Sequence, residues 1–377
     1  MKKENFLIIL PYWDSTFRNK NIGKLLKRFE SHNHNIYIYC SKSKGNKDIY
    51  DFLPNVTLYD YRPVAEKGVL KRIKSAVIFL SILIKVKNIK VFWTYAGYLE
   101  NLILSIFRIP FVLKSDSAIE LTSEKKSILK KIRTWIFFEF VGKCANLILV
   151  ETPQLHKKTI KIYKQNKVLY FPNGVNINHF KRFQSKKYKD NKDNKFFLCT
   201  GRMMHLKGID LAIHSFALIS KRTDWDLHFV GSADDENFMN DCKILINKYM
   251  LNDRVFFHPP CFGDDLFKWY SNASVFIMPS RNEGLANRLP EAMIFGNPVV
   301  AYDVGYTNAL INDNTGFLID ENNFKSFGNA MLELSTKPDL RKKIAANNIQ
   351  EILNNYDDDK IFKKLFQKSR DCGFQSL

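Results

Sequence analysis

The feature that most constrains the fold is an alternation. Short apolar runs of strand length alternate with longer stretches whose apolar residues fall at helical spacing, and this happens twice along the chain. The first series holds Phe6–Leu10, Ile36–Cys40, Val91–Thr94, Phe111–Leu113, Leu147–Val150 and Val168–Phe171. The second holds Phe196–Thr200, Leu227–Val230, Val255–His258, Val275–Met278, Pro298–Tyr302 and Gly316–Ile319. Runs that are apolar throughout are buried on both faces, and helices between them act as crossovers, so mostly parallel sheets are expected. Between the two series the pattern fails: Pro172-Asn173-Gly174 is turn chemistry, and Lys181 to Lys195 is polar and basic. The chain of 377 residues therefore reads as α/β with two domains. They cover residues 1–172 and 196–358, joined by a hinge over 173–195. A C-terminal helical segment over 359–377 can pack back on the first domain.

Charge separates the halves. Residues 1–172 carry 31 Lys and Arg against 13 Asp and Glu, whereas residues 173–377 carry 27 against 25. Nearly all of the formal +20 therefore lies in the first half, which points to an anionic partner there, either nucleic acid or an anionic membrane leaflet. Lys67 to Lys87 and Lys125 to Phe138 set basic residues beside apolar and aromatic ones, as a helix lying on anionic lipid would. For the first segment an ordinary crossover helix reads equally well, because Ala76–Ile84 is apolar on all sides. The six cysteines are scattered, with no Cys-x-x-Cys pair and no zinc-ligand spacing, which fits a reducing cytoplasm. The N-terminal apolar run ends at Pro11 and has no cleavage site, so it reads as a first buried strand. No apolar run approaches the roughly 20 residues of a spanning helix. A soluble or peripheral protein is expected.

Two segments concentrate chemistry. Met278-Pro279-Ser280-Arg281-Asn282-Glu283-Gly284-Leu285-Ala286-Asn287-Arg288-Leu289-Pro290-Glu291-Ala292-Met293 leaves an apolar strand, passes a Gly-containing turn and enters a helix that Gly296-Asn297-Pro298 ends. Glu283 falls at the mouth of that turn, and the spacing puts Glu291 about two turns into the helix. Carboxylates accept hydrogen bonds from sugar or ribose hydroxyls. In isolation, two such Glu read more readily as solvated groups beside a helix start. The other segment is Gly201-Arg202-Met203-Met204-His205-Leu206-Lys207-Gly208, directly after the strand Phe196–Thr200. Arg202 offers a planar fork and Lys207 a mobile point charge, which together can clamp a diphosphate.

In order and over residues 201 to 319 the chain carries Gly-Arg…Lys-Gly, Val230-Gly231, Pro-Ser-x-x-Glu-Gly, Glu-Ala-Met, Gly-x-Pro-Val-Val and Gly-Phe-Leu. This set resembles the retaining glycosyltransferases of GT-B fold with a Glu-x7-Glu signature, the glycosyl transferases group 1 of family 4 type. Pro172-Asn173-Gly174-Val175-Asn176 is similar to that family's hinge. The resemblance is strong over the C-terminal half and weak over the N-terminal half.

What the resemblance implies is two Rossmann-like parallel-sheet domains with a cleft between them, and a retaining, metal-independent transfer of a sugar from a nucleotide-diphosphate donor. Arg202 and Lys207 would neutralise the leaving diphosphate, Glu291 would hold the ribose, and Glu283 with the amides of Gly284, Leu285 and Ala286 would hold the transferring sugar and its phosphate. No metal and no other cofactor is implied, and Asp116 is the candidate contact to the acceptor, with a helix cap as its plainer role. The basic half fits a glycan or lipid-linked acceptor on the cytoplasmic face of a membrane, in surface polysaccharide or glycolipid assembly. A nucleotide-sugar epimerase of the same fold is the enzymatic alternative. A basic nucleic-acid-binding protein is the non-enzymatic one, but no nucleic-acid module is present. Two departures bear on specificity. Pro11 to Lys20 replaces the family's Gly-rich turn, and Tyr306 follows Gly305 where a second Gly is common. Asp224-Trp225-Asp226 matches a metal motif but precedes its strand, so it reads as a capping turn. No Gly-x-Gly-x-x-Gly follows a strand, which argues against a dinucleotide oxidoreductase.

Overall fold

The computed structural model describes residues 3–10, 17, 20–40, 46–60, 69–95, 99–115, 140–178, 180–181, 194–283 and 287–374. Backbone contacts divide the chain into two compact units, Met1–Asn173 with Phe362–Leu377, and Gly174–Ile361.

The first unit is built on β1 (Asn5–Leu10), β2 (Asn35–Cys40), β3 (Val56–Asp60), β4 (Ile89–Tyr95), β5 (Phe111–Ser115), β6 (Leu147–Val150) and β7 (Val168–Tyr170). All pair in parallel, in the order β3-β2-β1-β4-β5-β6-β7. The crossovers include α1 (Asn21–Ser31), α2 (Asn46–Phe52), α3 (Val69–Lys85), α4 (Leu99–Ile106) and α5 (Pro153–Ile162). β3 has no counterpart among the strands expected from the sequence. Val56-Thr57-Leu58-Tyr59-Asp60 is not an apolar run, because Thr57 is exposed and interrupts its apolar residues. Its pairing with β2 identifies it. Phe6 on β1 stacks on Phe29 of α1 at 4.3 Å between ring centroids and meets Phe92 edge-on at 5.7 Å. The last helix, Asp358–Asp371, and the residues after it add Phe362 against Phe171, Phe366 against Phe29 and Phe374 against Phe92.

The second unit holds β8 (Phe196–Thr200), β9 (Asp226–Val230), β10 (Val255–His258), β11 (Val275–Met278), β12 (Val299–Tyr302) and β13 (Gly316–Ile319), in the order β10-β9-β8-β11-β12-β13 and again all parallel. Its helices are α6 (Ile209–Ile219), α7 (Glu236–Lys248), α8 (Asp264–Asn272), α9 (Arg288–Ile294), α10 (Phe324–Thr336) and α11 (Pro338–Asn355). Side chains alternate across a strand, so the sheet has two cores. Phe197 joins Phe216 and Phe327 on one face, while its neighbour Leu198 joins Phe276, Met293 and Ile352 on the other. This explains why these strands read as unbroken apolar runs.

The strand order fixes where a ligand can enter. The chain starts at β8, moves outward through β9 to β10, then returns to β11 on the opposite side of β8. Loops leaving β8 and β11 therefore diverge, and a crevice opens at their carboxyl ends.

Candidate functional site

Both chemistry-bearing segments of the sequence leave the two strands at that reversal. They wall a cavity of about 260 Å³ lined by Thr200, Arg202, Lys207, Ser280, Glu283 and Arg288, among others. Lys207 closes a short 3-10 turn, His205–Lys207, after which Gly208 adopts φ 67° and starts α6. A Cβ at Gly208 would overlap the Pro279 carbonyl of the facing loop, so only glycine lets the two loops approach. Gly305 (φ 59°) lies against the Glu283 carbonyl in the same way.

The loops meet in an ion pair. Lys207 Nζ is 2.5 Å from Glu283 Oε1, and Ser280 Oγ donates to the same oxygen at 2.7 Å. Glu283 is therefore oriented by its own loop and by the opposite one. Arg202 is exposed at the cavity and, among the described residues, pairs with no carboxylate. It is available to an anionic ligand.

Glu291 stands apart from that pair. Expected two turns into a helix, it lies instead in the first turn of α9, which begins at Arg288. The physical reason is Pro290: without an N–H, and with a ring that clashes one turn back, it is accommodated only in a first turn. Glu291 Oε2 accepts from Arg288 Nη1 at 3.0 Å and from the Tyr270 hydroxyl at 3.1 Å. That hydroxyl is fully buried and is 3.1 Å from Thr200 Oγ1 at the end of β8. Burial, and after it the Glu291 charge, pushes the Tyr270 phenol well above its ordinary range, so it stays a donor. Arg288 lines the cavity and Glu291 does not. Cys199 also lines it, but burial drives its thiol up to about 12, which rules out a thiolate nucleophile at neutral pH.

Tyr270, Ser280, Arg281 and Arg288 join the site only in the structure. Ser280, Arg281 and Arg288 sit inside the motif that was singled out. Tyr270 lies on α8, outside both segments, and no local pattern connects it to Glu291. Gly284, Leu285, Ala286 and Asp116 fall outside the described residues. Asp224 pairs with Lys195 and Asp226 with Arg254, at 2.5 and 2.8 Å, at the amino end of β9. His205, the one histidine in a matched turn, sets its ring edge-on to Phe238. Among the described residues no group of three or more His, Cys, Asp or Glu has metal-holding geometry.

Residues 180–351 match the profile of the glycosyl transferases group 1. The matched segment is a little under half of the chain. It contains Arg202, Lys207, Glu283 and Glu291, so the family match and the cavity coincide. The capsular polysaccharide biosynthesis glycosyltransferase CapM of Staphylococcus aureus is 27% identical over 59% of this chain and 60% of its own length. The lipopolysaccharide core biosynthesis mannosyltransferase LpsB of Rhizobium meliloti is 35% identical over 36% of this chain and 40% of its own. The chain thus spans about half the length of these curated relatives. Among solved structures, a glycosyltransferase from Rickettsia africae covers all of both chains with a TM-score of 0.79 at 16% identity. Anabaena HepE, solved with UDP and glucose, covers 99% of this chain and 100% of its own with a TM-score of 0.71, also at 16% identity. The fold of the group 1 segment and its partner unit is that of the GT-B glycosyltransferases, two parallel sheets of 7 and 6 strands with helices.

Proposed function

We propose that the chain is a retaining, metal-independent glycosyltransferase. It would move a sugar from a nucleotide-diphosphate donor to a glycan or lipid-linked acceptor, in assembly of a surface polysaccharide or glycolipid. The observation that carries this reading is the Lys207–Glu283 pair facing the cavity with Arg202, which pairs with no carboxylate among the described residues, beside it. A diphosphate neutralises Arg202 and Lys207, and Glu283, released from Lys207, accepts hydroxyl hydrogens of the sugar. Glu291 Oε2 is held by two donors from the protein, which leaves Oε1 for a ribose hydroxyl. The reaction breaks the bond between the sugar's anomeric carbon and the phosphate oxygen and makes one to the acceptor oxygen on the same face. The acceptor proton passes to the departing phosphate, so no protein base is required. Cations aimed at the developing phosphate charge supply a few kcal/mol each in a water-poor site, and Arg202 and Lys207 take the place of a divalent ion. The names of the relatives from Staphylococcus and Rhizobium support the polysaccharide setting, and HepE's UDP and glucose support the donor class.

Calorimetry against UDP, GDP and ADP and their sugars tests the donor, and absence of binding to all of them would end this reading. Turnover is expected to survive chelation of divalent ions with EDTA. A loss there would overturn metal independence alone.

The first unit is the proposed membrane side, on the cytoplasmic face. On α3, Val77 and Ile84 are two turns apart and exposed, as are Ile106 and Phe107 at the end of α4. Exposed Lys85, Lys87 and Arg108 follow them. Apolar side chains flanked by cations suit an anionic bilayer. The second basic segment, Lys125 to Phe138, lies outside the described residues. No described helix is long and apolar enough to cross a membrane. Flotation with anionic vesicles, lost at high salt, is the expected result, and no binding would refute docking.

A further inference from the structure

Beside the cavity, but not lining it, a second ion pair joins the same two loops. Arg281 Nη1 and Nη2 donate to the two oxygens of Asp210 at 2.8 and 2.6 Å. Nη1 also donates to the His205 carbonyl at 2.7 Å, and the Arg281 backbone N–H donates to the Leu206 carbonyl at 2.9 Å. One residue of the β11 loop thus binds three consecutive features of the β8 loop: His205, Leu206 and the first turn of α6. Both side chains are about four-fifths buried. Burial alone would raise the Asp210 carboxyl, yet its hydrogen bonds to Arg281 hold it below the ordinary carboxylate range.

A largely buried pair of this kind is a weak source of stability, since well-packed apolar residues of similar volume serve as well. What it supplies is direction. A guanidinium fork on a carboxylate fixes distance and angle together. Asp210 lies three residues after Lys207, and Arg281 two residues before Glu283. The Arg281–Asp210 and Lys207–Glu283 pairs are therefore adjacent rungs between two loops. The Lys207–Glu283 rung opens when a ligand takes Lys207. The contacts of Arg281 then remain to hold the loops in register, and of its side-chain bonds the fork on Asp210 is the one that fixes an angle.

We propose that Arg281 and Asp210 are positioning residues that keep the Lys207 turn and the Glu283 turn in register while a diphosphate occupies the cavity. This rests on the donor reading above. Loss of the fork moves Lys207 relative to the phosphate it serves, and displacements near 1 Å cost on the order of a hundredfold where geometry matters most.

The test is calorimetric binding by the full chain of UDP, GDP and ADP and the matching monophosphates, with melting temperature measured in parallel. Arg281→Lys keeps the charge and loses the fork. It is expected to lower the preference for diphosphate over monophosphate by about tenfold, with monophosphate affinity and melting temperature near wild type. Asp210→Asn is expected to do the same, and the exchanged pair Asp210→Arg with Arg281→Asp to recover part of the preference. An unchanged diphosphate preference in Arg281→Lys and Asp210→Asn overturns the proposal. So does an equal loss for both nucleotide classes that tracks a fall in melting temperature, because that is general loosening. A wild-type protein that binds none of the six nucleotides removes the donor reading itself.

Discussion

The two units share a topology and differ in what they place at its most useful point. Each sheet runs outward from a central strand and returns on the other side of it, β1 and β4 in the first unit, β8 and β11 in the second. In the second unit the loops after the reversal strands carry Arg202, Lys207 and Glu283 into a cavity. In the first, the described charges at the carboxyl ends include Glu100, buried in the first turn of α4, and a largely buried pair one strand further on. Lys114 of β5 is 1% exposed and sits 2.5 Å from Glu151 after β6, with its ammonium 5.8 Å from the centre of the Trp93 ring. One pair is open to a ligand and the other is enclosed. The same fold therefore hosts an ion pair that lines a cavity and one that is largely buried, and their surroundings tell them apart.

The comparison breaks most visibly in the enclosed pair. Lys114→Ala removes a fully buried ammonium from beside Glu151, which is 14% exposed, and is expected to destabilise the protein by about 3–5 kcal/mol in urea unfolding. The double variant Lys114→Met with Glu151→Leu should recover most of that, and nucleotide binding should be unchanged in both. A single variant as stable as wild type would show the pair to be incidental. Next in size is Gly305→Ala. Its side chain requires a positive φ and meets the Glu283 carbonyl, so a loss of about 1–3 kcal/mol in thermal unfolding is expected, with weaker nucleotide binding because Glu283 shifts. In the open site, Lys207→Ala and Glu291→Ala should each weaken donor binding or turnover by at least about tenfold with little change in melting temperature. Wild-type kinetics in both would sink the site assignment.

The smallest effect concerns pH. His228 on β9 and His258 on β10 stand 2.9 Å apart between Phe196, Phe256 and Trp269. Burial, then the neighbouring His258, lowers His228 to about 4, against an opposing pull from Asp226. His258 is lowered by burial as well. A depressed histidine favours the neutral form in the fold. Its stabilisation is complete above pH 6.5 and is lost as pH falls from there towards 4. Melting temperature should drop by roughly 2–4 °C over that window, and His228→Phe should flatten the profile. Equal slopes in variant and wild type would remove the pair as the cause.

How much of this was legible in the sequence differs between strand and site. Twelve of the thirteen described strands announce themselves as apolar runs, the central ones because a strand covered on both faces must be apolar throughout. β3 does not, because Thr57 is exposed and interrupts its apolar residues; edge position alone is not the reason, since β7, β10 and β13 are edge strands as well. Arg202, Lys207, Glu283 and Glu291 could be picked out because they follow strands in an ordered set of motifs. The position of Glu291 within its helix was missed although Pro290 beside it carries the signal. Tyr270 and the Arg281–Asp210 fork could not be found by spacing, since their partners are 21 and 71 residues away in the chain.

The sequence by itself therefore determined the two parallel sheets and the likeness of residues 180–351 to the glycosyl transferases group 1. Periodicity and turn chemistry are local, and local patterns survive in one dimension. The tertiary structure alone decided which cation meets which carboxylate. Lys207 pairs with Glu283, Arg281 with Asp210 and Lys114 with Glu151 because strand order brings distant loops within hydrogen-bonding reach. A charge acquires its meaning from the partner and the degree of burial it finds there.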